Sequence, residues 1–201
     1  MYLAKPLDNP PTNLTTLSEY RAPEDLLSTQ GSPCLLNQKV DIWSFGLIMC
    51  NLFADNESPL YLIDWMEDEE TVEDYLDRHL LQMVDISGEF PPDMDKKWGR
   101  RGRYFLQEGQ ESDEWSEYAT RVKSGGLEKE FEISRGTKIE YLIKEAADRK
   151  EDNGQGLTAV AGASEEDKEA IIRIISRCLA LDSDSRPEAE DLLQDAFFQE
   201  V

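Results

Sequence analysis

The densest apolar run in the chain is Val40-Asp41-Ile42-Trp43-Ser44-Phe45-Gly46-Leu47-Ile48-Met49-Cys50-Asn51-Leu52-Phe53, which only Asp41, Ser44 and Asn51 interrupt. A helix that is apolar on nearly every side either lies in a core or spans a membrane. This run is shorter than the roughly 20 residues a bilayer requires, so it predicts a buried central helix over 38–53. Gly46 lowers helix stability there by about 1 kcal/mol relative to alanine, which implies that a neighbour packs closely against it. A second pattern, Val72, Leu76, Leu80 and Met83 at helical spacing, predicts an amphipathic helix over 71–84. Thr71 stands three residues before Asp74, a start resembling a capping box, and Gly88-Glu89-Phe90-Pro91-Pro92 ends the helix. Ser164-Glu165-Glu166-Asp167 opens a third helix over 164–180, with Ile171, Ile172, Ile174, Ile175 and Leu179 on its apolar face. Pro23 suits a first helical position, with Glu24 and Asp25 on the first-turn dipole, so a short helix is expected over 23–28. Residues 138–147 also read as helix. Residues 1–17 and 148–163 read as irregular, and no internal repeat is evident. The fold class expected is mainly α.

Charge then narrows the function classes. The 201 residues carry 21 basic against 43 acidic side chains, a net charge of −22, with a pI near 4.3 and mean hydropathy of −0.59. Nucleic-acid binding needs a basic footprint and is not expected. Basic partners are, unless the charge serves only to keep the chain soluble. Cys34, Cys50 and Cys178 have no metal-ligand spacing, and the N-terminal stretch has no secretory pattern, so an intracellular, cytoplasmic or nuclear protein with reduced thiols and no membrane span is expected. The single histidine, His79, leaves no His-based triad or metal site and is expected on the surface of an acidic helix.

Two motifs flank the central run. Tyr20-Arg21-Ala22-Pro23-Glu24 precedes Asp41-Ile42-Trp43-Ser44-Phe45-Gly46, and Cys178-Leu179-Ala180-Leu181-Asp182-Ser183-Asp184-Ser185-Arg186-Pro187 follows near the C-terminus. Together they resemble the end of a eukaryotic protein kinase activation segment, the central helix of the kinase C-terminal lobe, and the Leu-x-x-Asp-Pro-x-x-Arg-Pro stretch at its base. Ser183 stands where the family usually has proline. The resemblance covers about residues 14–198. It implies a truncated kinase-like C-terminal lobe, with 1–17 as an activation-segment-like lead-in, 18–198 as the partial lobe, and a last helix over 187–198. It also implies a structural set of Ala22, Pro23, Glu24, Asp41, Trp43, Gly46 and Arg186. Within this set Glu24 pairs with Arg186, and Asp41 accepts backbone N–H bonds from a catalytic loop. Taken alone, Glu24 and Asp41 are equally dipole partners of their own helices and Arg186 a solvated charge. Tyr20, Trp43 and Phe45 are expected in packing rather than at a ligand.

The same family positions ATP and magnesium with a Gly-rich loop, a β3 lysine, His-Arg-Asp and Asp-Phe-Gly. The 201 residues contain no Gly-x-Gly-x-x-Gly, no His-Arg-Asp and no Asp-Phe-Gly. No catalytic, cofactor-binding or metal-binding residue is therefore assigned, and ATP and magnesium are expected only for a full-length family member. Leu17, beside Thr15, Thr16 and Ser18, occupies the position where the family carries a threonine, a departure consistent with a pseudokinase. Lys96, Lys97, Arg100, Arg101 and Arg103, followed by Tyr104-Phe105, lie in an insert over 86–163 that resembles that of SR-protein kinases and related fungal kinase-like proteins. Those kinases dock Arg-rich substrates on an acidic groove. The candidate docking residues here are Asp64, Glu67, Asp68, Glu69, Glu70, Glu73, Asp74 and Asp77, and the candidate partner is a basic or Arg/Ser-rich segment. A solvated acidic face is the competing reading. Two function classes remain: a partial serine/threonine kinase domain that is inactive as this chain stands, and a non-catalytic acidic interaction module.

Overall fold

A computed structural model of the chain describes residues 20–29, 36–53, 71–104, 139–140 and 163–199. The sequence expectations for 1–17, for most of 138–163, for Cys34, and for Asp64, Glu67, Asp68, Glu69 and Glu70 fall outside them. Among the described residues every regular element is helical: α1 (Pro23–Thr29), α2 (Lys39–Phe53), α3 (Val72–Ser87), α4 (Pro92–Asp95), α5 (Glu165–Cys178), α6 (Ala189–Leu193) and α7 (Ala196–Gln199). Short 3-10 turns stand at Arg101–Arg103 and Ser183–Ser185. None of these helices is long and apolar enough to cross a membrane.

The core forms where α2 lies along α5, while α1 packs on α3 and α7 packs on α5 and α6. Trp43, Leu47 and Cys50 of α2 and Ile174, Ile175 and Cys178 of α5 are fully buried, with Leu26, Leu27, Leu80, Leu81 and Met83 continuing the core through α1 and α3. Gly46 explains how closely the two long helices approach. A Cβ at that position would stand 2.7 Å from the Cys178 Cβ and 2.9 Å from Leu179 Cδ2. Burial pushes the Cys50 thiol up to about 12 and the Cys178 thiol up to about 11, so both are neutral core groups.

Local chemistry sets the helix ends. The Thr71 hydroxyl accepts from the Asp74 N–H at 3.1 Å and donates to its carboxylate at 2.7 Å, and α3 stops at Gly88, whose φ of 93° is open to glycine. Ser164 and Asp167 form a reciprocal capping box at the start of α5.

Four expectations need correcting. His79 is not on the surface: it is buried, on the same side of α3 as Leu76 and Leu80, and α3 packs against α1. Val72 is exposed, standing in the first turn of α3 before the helix reaches the core. The central helix is not enclosed on every side, since Asp41, Ile48 and Leu52 are exposed. The last helix is two helices. The Asp195 carboxylate accepts the Phe197 N–H at 3.2 Å and a bond from Arg173 at 2.9 Å, so the chain restarts a turn at Ala196 instead of continuing from Leu193.

Candidate functional site

The segment Tyr20–Glu24 is anchored from two sides. The Ser44 hydroxyl on α2 donates to the Tyr20 carbonyl at 2.8 Å, and the Ala22 carbonyl receives the first backbone bonds of α1 from Asp25 and Leu26. Glu24, in the first turn of α1, then faces Arg186. Arg186 Nη1 and Nη2 donate to Glu24 Oε1 and Oε2 at 2.7 and 2.8 Å, a bidentate fork. The remaining guanidinium donors reach backbone carbonyls: Nε to Ala180 at 2.8 Å, Nη1 to Lys39 at 2.9 Å and Nη2 to Leu181 at 3.4 Å. The Trp43 ring lies 5.1 Å from the guanidinium carbon. All five N–H groups of a fully buried arginine are thus used, and one side chain joins α1, the start of α2 and the loop after α5.

Lys39 completes this anchor and carries no sequence signal that marks it. Its ammonium donates to the Arg186 carbonyl at 2.7 Å and pairs with Glu188 at 2.6 Å. Glu188 is held below the usual carboxylate range by Lys39 first and then by Gln38, which donates to it at 3.0 Å. Ala22, Pro23, Glu24, Trp43 and Arg186 are each buried, and Glu24 and Trp43 both meet the Arg186 guanidinium. Gly46 lies a turn further along α2 against Cys178, and Asp41 is exposed on the first turn of α2.

A second group of charges joins α3 to the segment after it. Asp77 is completely buried. It accepts from Trp98 Nε1 at 2.7 Å and from the Tyr104 hydroxyl at 2.9 Å, and forms an ion pair with Arg100 Nε at 2.9 Å. Trp98 stacks on Tyr104 and meets Phe90 edge-on. Burial, then the Asp77 charge, raises the Tyr104 phenol above its ordinary value. One helical turn earlier, Asp74 accepts from Arg100 Nη2 and, at 3.0 Å, from Arg103 Nη1. Its carboxyl is held below the ordinary range by the Thr71 hydroxyl first and by Arg100 next. Arg101 pairs with Asp95, and Lys96 lies 3.5 Å from Asp93.

The candidate docking residues therefore divide. Glu73 is exposed, Asp74 is shared between two arginines of the same chain, and Asp77 is sealed. Asp77 is corrected as a contact for an outside partner: no solvent-borne side chain reaches a carboxylate closed in by Trp98, Tyr104 and Arg100. The sequence hid this because those donors lie beyond a proline-rich break, 21 to 27 residues away in the chain.

Among the described residues no group of three or more His, Cys, Asp or Glu side chains could hold a metal ion.

The family model for the protein kinase domain matches residues 3–198. No curated protein matches the chain.

Proposed function

The chain belongs to the protein kinase domain family, and from that premise we propose that it is the C-terminal, substrate-side part of a serine/threonine kinase domain that transfers no phosphate as it stands. The observation that carries this reading is the Glu24–Arg186 fork under Trp43. On this reading it ties Ala22-Pro23-Glu24, the end of an activation segment, to the base of the lobe. The inactivity rests on the sequence, which contains no His-Arg-Asp or Asp-Phe-Gly to supply the base and hold the metal. The SR-protein-kinase-like character rests on the order of elements in the insert and on its Arg-rich segment. Expected results are no thermal shift with Mg-ATP and no labelled phosphate transferred to an Arg-Ser repeat peptide. A shift of several degrees, or transfer above a no-protein control, contradicts the proposal.

A second reading is a docking module for basic segments. It is favoured by Asp74, a half-exposed carboxylate on α3 that already engages two guanidinium groups, the chemistry an Arg-rich partner would offer.

A further inference from the structure

We propose that the arm Lys96–Tyr104 is an autoinhibitory strap, which fills the arginine-binding face of α3 in cis and sets the affinity of that face for an outside Arg-rich segment. The inference rests on the docking reading above and deepens it. The contact between arm and helix has two tiers. In the inner tier Trp98, Tyr104 and Arg100 Nε close on Asp77, which is inaccessible to solvent. That tier keeps the arm attached. In the outer tier Arg103 reaches Asp74 with side-chain exposures of 45% and 40%, so water and solutes reach this pair. An exposed pair of this kind is weak and exchanges readily, and opening it leaves the buried tier intact. The arm reads Arg100-Arg101-Gly102-Arg103, so the cis occupant has the same guanidinium chemistry as the partner it would displace. Exchange of one arginine for another on Asp74 needs no new kind of contact.

The test measures binding of a labelled Arg-Ser repeat peptide to the whole chain at low ionic strength, with Arg103→Ala, Lys96→Ala and wild type compared. Arg103→Ala removes one of the two guanidinium groups on Asp74 and leaves Arg100 in place. Lys96→Ala makes the same change in net charge on the same arm but, among the described residues, removes a pairing with Asp93 and not with Asp74. The strap predicts that Arg103→Ala binds about three- to fivefold tighter than both other proteins, the scale of one exposed ion pair. Adding Asp74→Asn should erase that gain. Trp98 emission should be unchanged in Arg103→Ala, showing the inner tier still closed. If wild type binds but Arg103→Ala binds no tighter than Lys96→Ala, the strap is wrong and the docking reading stands. If none of the proteins binds, the docking reading fails and the strap with it.

Discussion

The anchor at Arg186 and the strap at Arg100 and Arg103 are built from the same parts, arginine on carboxylate, and differ in what surrounds them. At the anchor one guanidinium meets one carboxylate, three backbone carbonyls and an indole face, with no donor left over and almost no solvent contact. At the strap, two arginines share Asp74 in partial contact with water. A buried, fully satisfied pair is costly to break because the surviving charge is left without water or partner. A half-exposed pair is worth about 1 kcal/mol or less. The first therefore holds the fold together, and the second can open at little cost.

The largest effect should follow from opening the anchor. Arg186→Ala leaves Glu24 buried without its partner, and urea unfolding should report a loss of about 3–5 kcal/mol. Arg186→Lys should recover little of it, since an ammonium cannot span both oxygens and the carbonyls behind them. Within the strap region, Asp77 and Asp74 give the sharpest internal contrast. Asp77→Ala strands a buried indole N–H and phenol and should cost about 3 kcal/mol, whereas Asp74→Ala should cost under about 1 kcal/mol. Equal losses at the two positions would erase the distinction between inner and outer tiers.

How much of this the sequence discloses depends on how far apart the partners lie and whether each sits in its own pattern. Glu24 and Arg186 are remote in the chain, yet each falls in a short motif, so their pairing was legible. Gly46 was legible as a close approach because a glycine in an apolar helix lacks any other reason. The apolar period placed α3 but not His79, since a lone polar residue among acidic neighbours reads as surface until the packing of the helix is known. Lys39 and Asp77 were illegible for one reason. A charge buried by distant partners looks locally like a charge facing water.

Smaller effects refine the same contrast. Gly46→Ala should gain helix propensity yet lose more to the contact with Cys178 Cβ, which is fixed to the α5 backbone, for a net loss of about 1 kcal/mol. His79 introduces a pH dependence of its own. Burial first, then Arg21 and Arg78, lowers it to about 3 from 6.5, so the folded chain refuses a proton that the unfolded chain accepts. Its contribution to stability is therefore full above pH 6.5 and falls by roughly 1.4 kcal/mol per pH unit below it. Unfolding at pH 7 and pH 5 should show this slope in wild type and a shallower one in His79→Leu.

The most direct test of the account is a double-mutant cycle on Glu24→Ala and Arg186→Ala, read by urea unfolding of the whole chain. The anchor predicts that each single change costs several kcal/mol and that the pair costs little more than either alone, a coupling of at least about 2 kcal/mol. Additive losses, with a coupling below about 0.5 kcal/mol, would contradict the claim that this one ion pair joins the two ends of the fold.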